Sequence, residues 1–163
     1  YLVNQRAKDN DVWETKYVFI LWLSIIVLVP FDLKTIDSAL TCLEQPTEND
    51  KVVKTIHDNI IDVSKYYLNS PMKTRDAAAI VLSKFFTRPD IQKTDLLKHF
   101  LNWAAETIKK FEDDPFNSFF VTGIFSSLVE IFKVGQRNEL IDKIPLIFQL
   151  IAEEEESKGE ESK

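Results

Sequence analysis

A chain of 163 residues with 45% apolar residues can close a core and is not disordered throughout, and 3 Gly and 6 Pro against 12 Phe are too few turn formers for a strand-rich fold. The net charge is −6, and the last eleven residues, EEEESKGEESK, contribute −4 of it, which leaves −2 on the body. Neither part offers the basic patch that a phosphate backbone requires, so nucleic acid is not an expected partner. The single cysteine, Cys42, cannot form an internal disulfide; with no signal-peptide pattern at the start, this points to the cytosol or nucleus. The opening Tyr-Leu-Val, without Met, reads as a slice of something longer.

In chain order, the first element is a helix over residues 12–29. Asp11 with Glu14 three residues on has the form of a capping box. Within this element the stretch YVFILWLSIIVLVPF, residues 17–31, is uncharged. From Tyr17 to Val29 a helix covers only roughly 20 Å, short of the roughly 30 Å of a bilayer core, and Glu14, Lys16 and Asp32 flank it. No membrane span is expected. A helix apolar on nearly all sides should lie buried between neighbours, with Trp22 in the interior. Residues 30–49, rich in Thr, Asp and Glu, read as one long surface connection with at most a short turn at 34–40.

The helical stripes then follow one another. Val53, Ile56, Ile60, Val63 and Tyr67 recur at helical period. Ser70-Pro71 restarts the chain as N-cap and first helical residue, ahead of Ala78, Val81, Leu82 and Phe85 on one face, and Pro89 ends that helix. Leu97, Leu101, Ala104, Ile108 and Phe111 form another stripe, and Asp114-Pro115 repeats the cap-plus-proline signal. Phe120, Ile124, Leu128 and Ile131 close at Gly135. In the last stripe, Leu140, Ile144, Ile147 and Ile151, Pro145 either sits in the first turn or kinks the helix.

Helices therefore start near 12, 50, 72, 91, 115 and 138. Alternate starts repeat at about 40–47 residues, the period of HEAT/armadillo repeats. The fold expected is all-α: a HEAT/armadillo-type α-solenoid of about three helix pairs over residues 12–152. A connecting segment, 1–11, precedes it and an acidic tail, 153–163, follows. Ala77, Ala78 and Ala79 allow close helix approach, and Arg75 and Asp76 are placed to pair across short turns with adjacent repeats.

The sequence offers no catalytic, cofactor-binding or metal-binding residues. Gly123, Gly135 and Gly159 cannot build a phosphate-cradling loop or a nucleophile elbow. His57 and His99 fall on separate helices with only Cys42 as a soft companion, and read as solvated or core-edge residues. Asp113-Asp114 reads as a helix cap rather than a carboxylate pair, and the Glu153–Glu156 run as a solvated tail rather than an arm for a basic partner. An enzyme is not expected.

Two stretches carry a more specific likeness. WETKYVFILWLSIIVLVPFDL, residues 13–33, and TRDAAAIVLSKFFTRPD, residues 74–90, resemble the tubulin-specific chaperone D family, also called tubulin-folding cofactor D. Its Trp-x-Thr-Arg-Tyr helix, Leu-Trp-Leu-Ser run and Pro-Phe-Asp correspond to Trp13 to Tyr17, Leu21 to Ser24 and Pro30 to Asp32; its Ala-Arg-Asp-Ala-Ala-Ala and Thr-Arg-Pro-Asp correspond to Thr74 to Ala79 and Thr87 to Asp90. Lys16 and Thr74 depart from the usual Arg and Ala. The resemblance implies an N-terminal slice of a long cytosolic, cytoskeleton-associated HEAT-repeat scaffold. Such a scaffold binds β-tubulin and assembles with tubulin-folding cofactors E and C and a small Arf-like GTPase, and the assembly stimulates GTP hydrolysis by tubulin. The alternative is a HEAT-repeat adaptor with a different protein partner, in a transport or signalling assembly. A membrane-associated helical protein built on residues 17–31 is the third reading.

Overall fold

The computed structural model describes residues 13–43, 54–110, 118–145 and 147–148. The Asp11 cap, the Asp114-Pro115 signal and the segments 1–11 and 153–163 lie outside them. The described elements are α1 (Trp13–Ile26), α2 (Leu33–Leu43), α3 (Ile56–Leu68), α4 (Thr74–Phe86), α5 (Pro89–Gln92), α6 (Leu96–Lys110), α7 (Ser118–Val134) and α8 (Arg137–Leu140), followed by a 3₁₀ turn, Ile141–Lys143. The fold is an all-α solenoid segment: α1, α4 and α7 form a row with α4 in the middle, and α3 packs behind α4.

Several boundaries differ from those expected, each for a local reason. Residues 33–43 are helical, although the sequence reads as a long loop over 30–49. The Asp32 carboxylate accepts the Lys34 N–H at 2.9 Å and so satisfies one of the donors at the start of α2. Asp37 ties α2 to α3 by accepting the Ile56 N–H at 2.8 Å. α3 begins at Ile56 rather than near 50 because Thr55 and Asp58 form a reciprocal capping box. Ser70 and Pro71 do not open α4, which starts at Thr74; the Ser70 hydroxyl instead accepts the Met72 N–H at 3.3 Å and bonds the Thr74 hydroxyl at 2.5 Å. The helix expected from 91 is split into α5 and α6. The Thr94 hydroxyl donates to the Ile91 carbonyl at 2.6 Å and accepts the Leu96 N–H, which ends one helix and starts the next. The last stripe tightens into the 3₁₀ turn, and Pro145 sits in the first turn of the helix that follows, where its missing N–H is harmless.

Helix α4 is buried on nearly every side. Ala77, Ala78, Ala79, Val81, Leu82, Phe85 and Phe86 are all in the core. The three alanines let α1, α3 and α7 approach one axis at once. Two buried polar residues of the helix spend their donors locally: Ser83 bonds the Ile80 carbonyl at 2.9 Å, and Thr74 bonds Ser70. Rings then link the layers in sequence, with centroids 5.9 Å apart for His57–Phe85, 5.3 Å for Phe85–Phe86 and 5.2 Å for Phe86–Phe100. Trp103 follows at 5.4 Å from Phe100 and 5.6 Å from Phe120, spacings favourable for tilted and edge-on pairs.

Helix α1 reverses the expectation for residues 17–31. Ile20, Ser24 and Val27 face the core, but Trp22 is 62% exposed. It is not an interior residue: α1 stands at the edge of the row, where α4 is its main neighbour, so one side of an apolar helix is left outward. Arg75 also differs from expectation. Its Nε is 3.6 Å from Asp76 on the same helix, is buried, and has no hydrogen-bond partner among the described residues, where the ion pair of Arg75 stays within α4.

Arg88, 8% exposed, joins the α1 side of the molecule to α4. Its guanidinium donates to the carbonyls of Val27, Val29 (2.9 Å) and Phe31 (2.7 Å), all in the loop that follows α1. The Asp90 carboxylate takes Nε and a terminal nitrogen at 2.9 Å each, in the fork-to-fork geometry only arginine offers. Burial alone would raise the Asp90 carboxyl, but the Arg88 hydrogen bond and charge outweigh it and hold the group below its ordinary value.

Arg88→Met strands three carbonyls and a carboxylate and should cost about 3–5 kcal/mol in a urea melt, with Arg88→Lys recovering less than half. Because the folded-state Asp90 is depressed, its contribution is present above the ordinary carboxyl value of about 3.9 and disappears as pH falls through the lower folded value, so the gap between wild type and Arg88→Met should narrow below about pH 4. Gly123→Ala should cost about 1–3 kcal/mol, since a Cβ there would stand 2.2 Å from the Leu68 carbonyl oxygen, a backbone atom that cannot step aside. Trp22→Ala should cost under about 1 kcal/mol; a loss of about 3 kcal/mol or more would restore the interior placement of this ring.

Candidate interaction surfaces

The outward side of α1 is a continuous apolar ridge. Val18, Trp22, Ile25 and Val29 recur at spacings of four, three and four and are all exposed, and Leu28 and Phe31 extend the ridge into the following loop. Phe19 braces Trp22 edge-on, with centroids 6.5 Å apart. Scattered exposed apolar residues are ordinary, but a contiguous row of this size is the mark of an interaction surface.

The ridge is held from beneath. Val27, Val29 and Phe31 present their carbonyls to Arg88 and thereby turn the Leu28 and Phe31 side chains outward. Between this loop and the end of α4 lies a cleft of about 540 Å³, with Lys84 and Lys93 on its far wall. Lys84 also reaches the Ser24 hydroxyl at 3.3 Å, a second link between α4 and α1. The two stretches that carry the family likeness therefore meet each other in space, through Arg88 and through Lys84. Neither contact was anticipated from sequence. The available signal was an Arg placed between Thr and Pro-Asp at a helix end, a position where a guanidinium can turn back onto a carboxylate two residues on.

A second cleft, of about 510 Å³, opens at the other end of α1, where the α3–α4 turn and the start of α7 come together. Lys16 and Lys65 line it among Trp13, Tyr66, Met72 and Phe120, and no Asp or Glu lines it among the described residues. Lys65 stands over the face of Trp103, with Nζ 4.1 Å from the centroid. Burial holds its amine below the ordinary lysine value, and the charge of Asp62 works against that effect.

The histidines are far apart in role. His57 is buried against Phe85, with its Nε2 unpartnered among the described residues, whereas His99 is exposed. Among the described residues no three His, Cys, Asp or Glu side chains gather as a metal site would require, and no helix is long and apolar enough to cross a membrane.

Comparison with known proteins agrees with this architecture. A family model described as "Tubulin-specific chaperone D-like, ARM repeat" matches residues 1–108, which include both stretches joined by Arg88. The chain is 29% identical over 165 aligned positions to "Tubulin-specific chaperone D" of Dictyostelium discoideum, covering 91% of this chain and 11% of that protein. It is 30% identical over 155 positions to "Tubulin-folding cofactor D" of Schizosaccharomyces pombe, covering 92% of this chain and 12% of that protein. The chain thus spans about a tenth of the length of these relatives. No solved structure matches it. With the family model covering most of the chain, and with an all-α repeat architecture in place, the chain belongs to the tubulin-specific chaperone D-like ARM-repeat family.

Proposed function

We propose that the chain is a scaffold segment of a tubulin-folding cofactor that acts in the cytoplasm, on the cytoskeleton. It takes part in binding β-tubulin and in assembly with tubulin-folding cofactors E and C and a small Arf-like GTPase, for construction and recycling of the αβ-tubulin dimer. It is not itself a catalyst; any stimulation of GTP hydrolysis belongs to the larger assembly, with the nucleotide in tubulin. The observation that supports this reading most is the match to the family over residues 1–108. The apolar ridge on a rigid base is consistent with it, because a scaffold works by presenting surfaces whose geometry does not change when a partner arrives. Each repeat of a solenoid supplies only a share of a long contact surface, so separate modest contacts become tight when one chain presents them together.

The test is a chimera in which these 163 residues replace the matching segment of the Dictyostelium relative. The chimera should capture purified tubulin to within roughly threefold of the unaltered protein, while the 163-residue chain alone binds it weakly, above about 10 μM. A folded chimera that loses tubulin would favour an adaptor with another partner. Submicromolar binding by the isolated chain would place a principal tubulin contact here and overturn the distributed one.

A further inference from the structure

The cleft between the start of α1, the α3–α4 turn and α7 carries an inference of its own, independent of the identity of the tubulin assembly. Its chemistry is two-sided. Tyr66 is 65% exposed and Met72 50% exposed, and with Trp13 and Phe120 they give an apolar wall. Lys16 and Lys65 supply two positive charges to the same space. Among the described acids nearby, Asp62 pairs with Lys54 at 2.5 Å while its charge also acts on Lys65, and Asp58 is committed to the Thr55 capping box. Asn69 and Ser70 add polar groups along the floor.

The state of Lys65 argues that the site is not simply surface. Its amine is partly desolvated, which disfavours the charged form and outweighs the opposing charge of Asp62, and it stands over the Trp103 face. A carboxylate arriving in the cleft would meet two cations with no Asp or Glu beside them among the described lining residues, in surroundings where charge pairs are stronger than in bulk water. An apolar side chain next to that carboxylate would cover Tyr66 and Met72.

We propose that this cleft binds an acidic, extended peptide segment of a partner protein, one carrying an apolar residue flanked by Glu or Asp. The carboxylates bridge Lys16 and Lys65, and the apolar residue lies against Tyr66 and Met72. Charge complementarity selects this occupant: a purely apolar helix would leave both lysines covered without partners, at a cost larger than the area gained.

The experiment uses the full 163-residue chain and a fluorescein-labelled peptide, a single leucine with a run of glutamates on either side, read by anisotropy. The comparison probes are the same peptide with every glutamate replaced by glutamine, the same peptide with alanine in place of leucine, and a short single DNA strand. The acidic peptide should bind, weaken as salt rises, and exceed the glutamine and alanine peptides by roughly tenfold and threefold. Lys16→Gln with Lys65→Gln should lower its affinity by roughly tenfold or more with the melting temperature unchanged. Lys93→Gln with Lys98→Gln, the same charge change elsewhere on the surface, should leave it within roughly twofold. Equal losses from the two pairs would reduce the effect to net charge and overturn the site, as would tighter binding of the DNA strand. Should Lys65→Gln unfold the chain, Tyr66→Ala at the exposed rim serves instead and should lower affinity at least about threefold; no loss would overturn the apolar half of the proposal. A roughly tenfold gain on changing Glu153, Glu154, Glu155 and Glu156 together to Gln would overturn the partner assignment and make the chain's own acidic end the occupant.

Discussion

Arg88 organises the molecule because it meets two demands with one group. The loop that leaves α1 must turn into α2, and its carbonyls at Val27, Val29 and Phe31 need donors. A guanidinium has five donors in a fixed plane, enough to take three carbonyls and still grip a carboxylate. Asp90 keeps that buried charge neutralised. One ion pair thereby ties the loop that leaves α1 to the junction of α4 and α5. A buried charge without such a set of partners would work against folding.

Around this anchor, the packing is decided by size as much as by hydropathy. α4 has alanines where three helices converge, so neighbouring backbones come close without leaving voids. At Gly123 the principle reaches its limit: the α7 backbone lies against the last carbonyl of α3, with no room for even a methyl group. The larger side chains fill what remains, and the aromatic series from His57 through Phe85, Phe86, Phe100 and Trp103 to Phe120 ties α3, α4, α6 and α7 into one core.

The two surfaces follow from the same arrangement. Among the described residues α1 stands at one end of the row, and its second apolar side is exposed there. The Arg88 clamp fixes the loop that extends this ridge, which limits how much the surface must reorganise on contact. At the opposite end of α1 the lysine-bearing cleft has a mixed character, apolar on one wall and cationic on another, which suits recognition of a specific chemistry more than broad adhesion. A repeat scaffold can thus hold distinct contacts a short distance apart on one rigid frame.

Much of the architecture was legible in the residues themselves. The 3.6-residue spacing of apolar positions in α6 and α7, the poverty of glycine and the alternate starts about 40–47 residues apart identify helices in repeating pairs, because a helix shows its buried face in its own sequence. The likeness of residues 13–33 and 74–90 to one family was legible too, and the comparisons agree with it. Burial order was not. By composition α1 is the more apolar helix and α4 the more polar, yet α4 is enclosed and α1 is half exposed, because enclosure depends on how many neighbours a helix has. The helix at 33–43 was hidden by its polar residues, whose capping and cross-links to Ile56 exist only once the chain is folded. Arg88 and its three carbonyls lie 57 to 61 positions apart in the chain, and Lys16 and Lys65 nearly fifty. Local pattern carries no term for such distances, so the period of the sequence determined the helices, and only the tertiary structure decided which carbonyls a single guanidinium would collect and which two lysines would share a cleft.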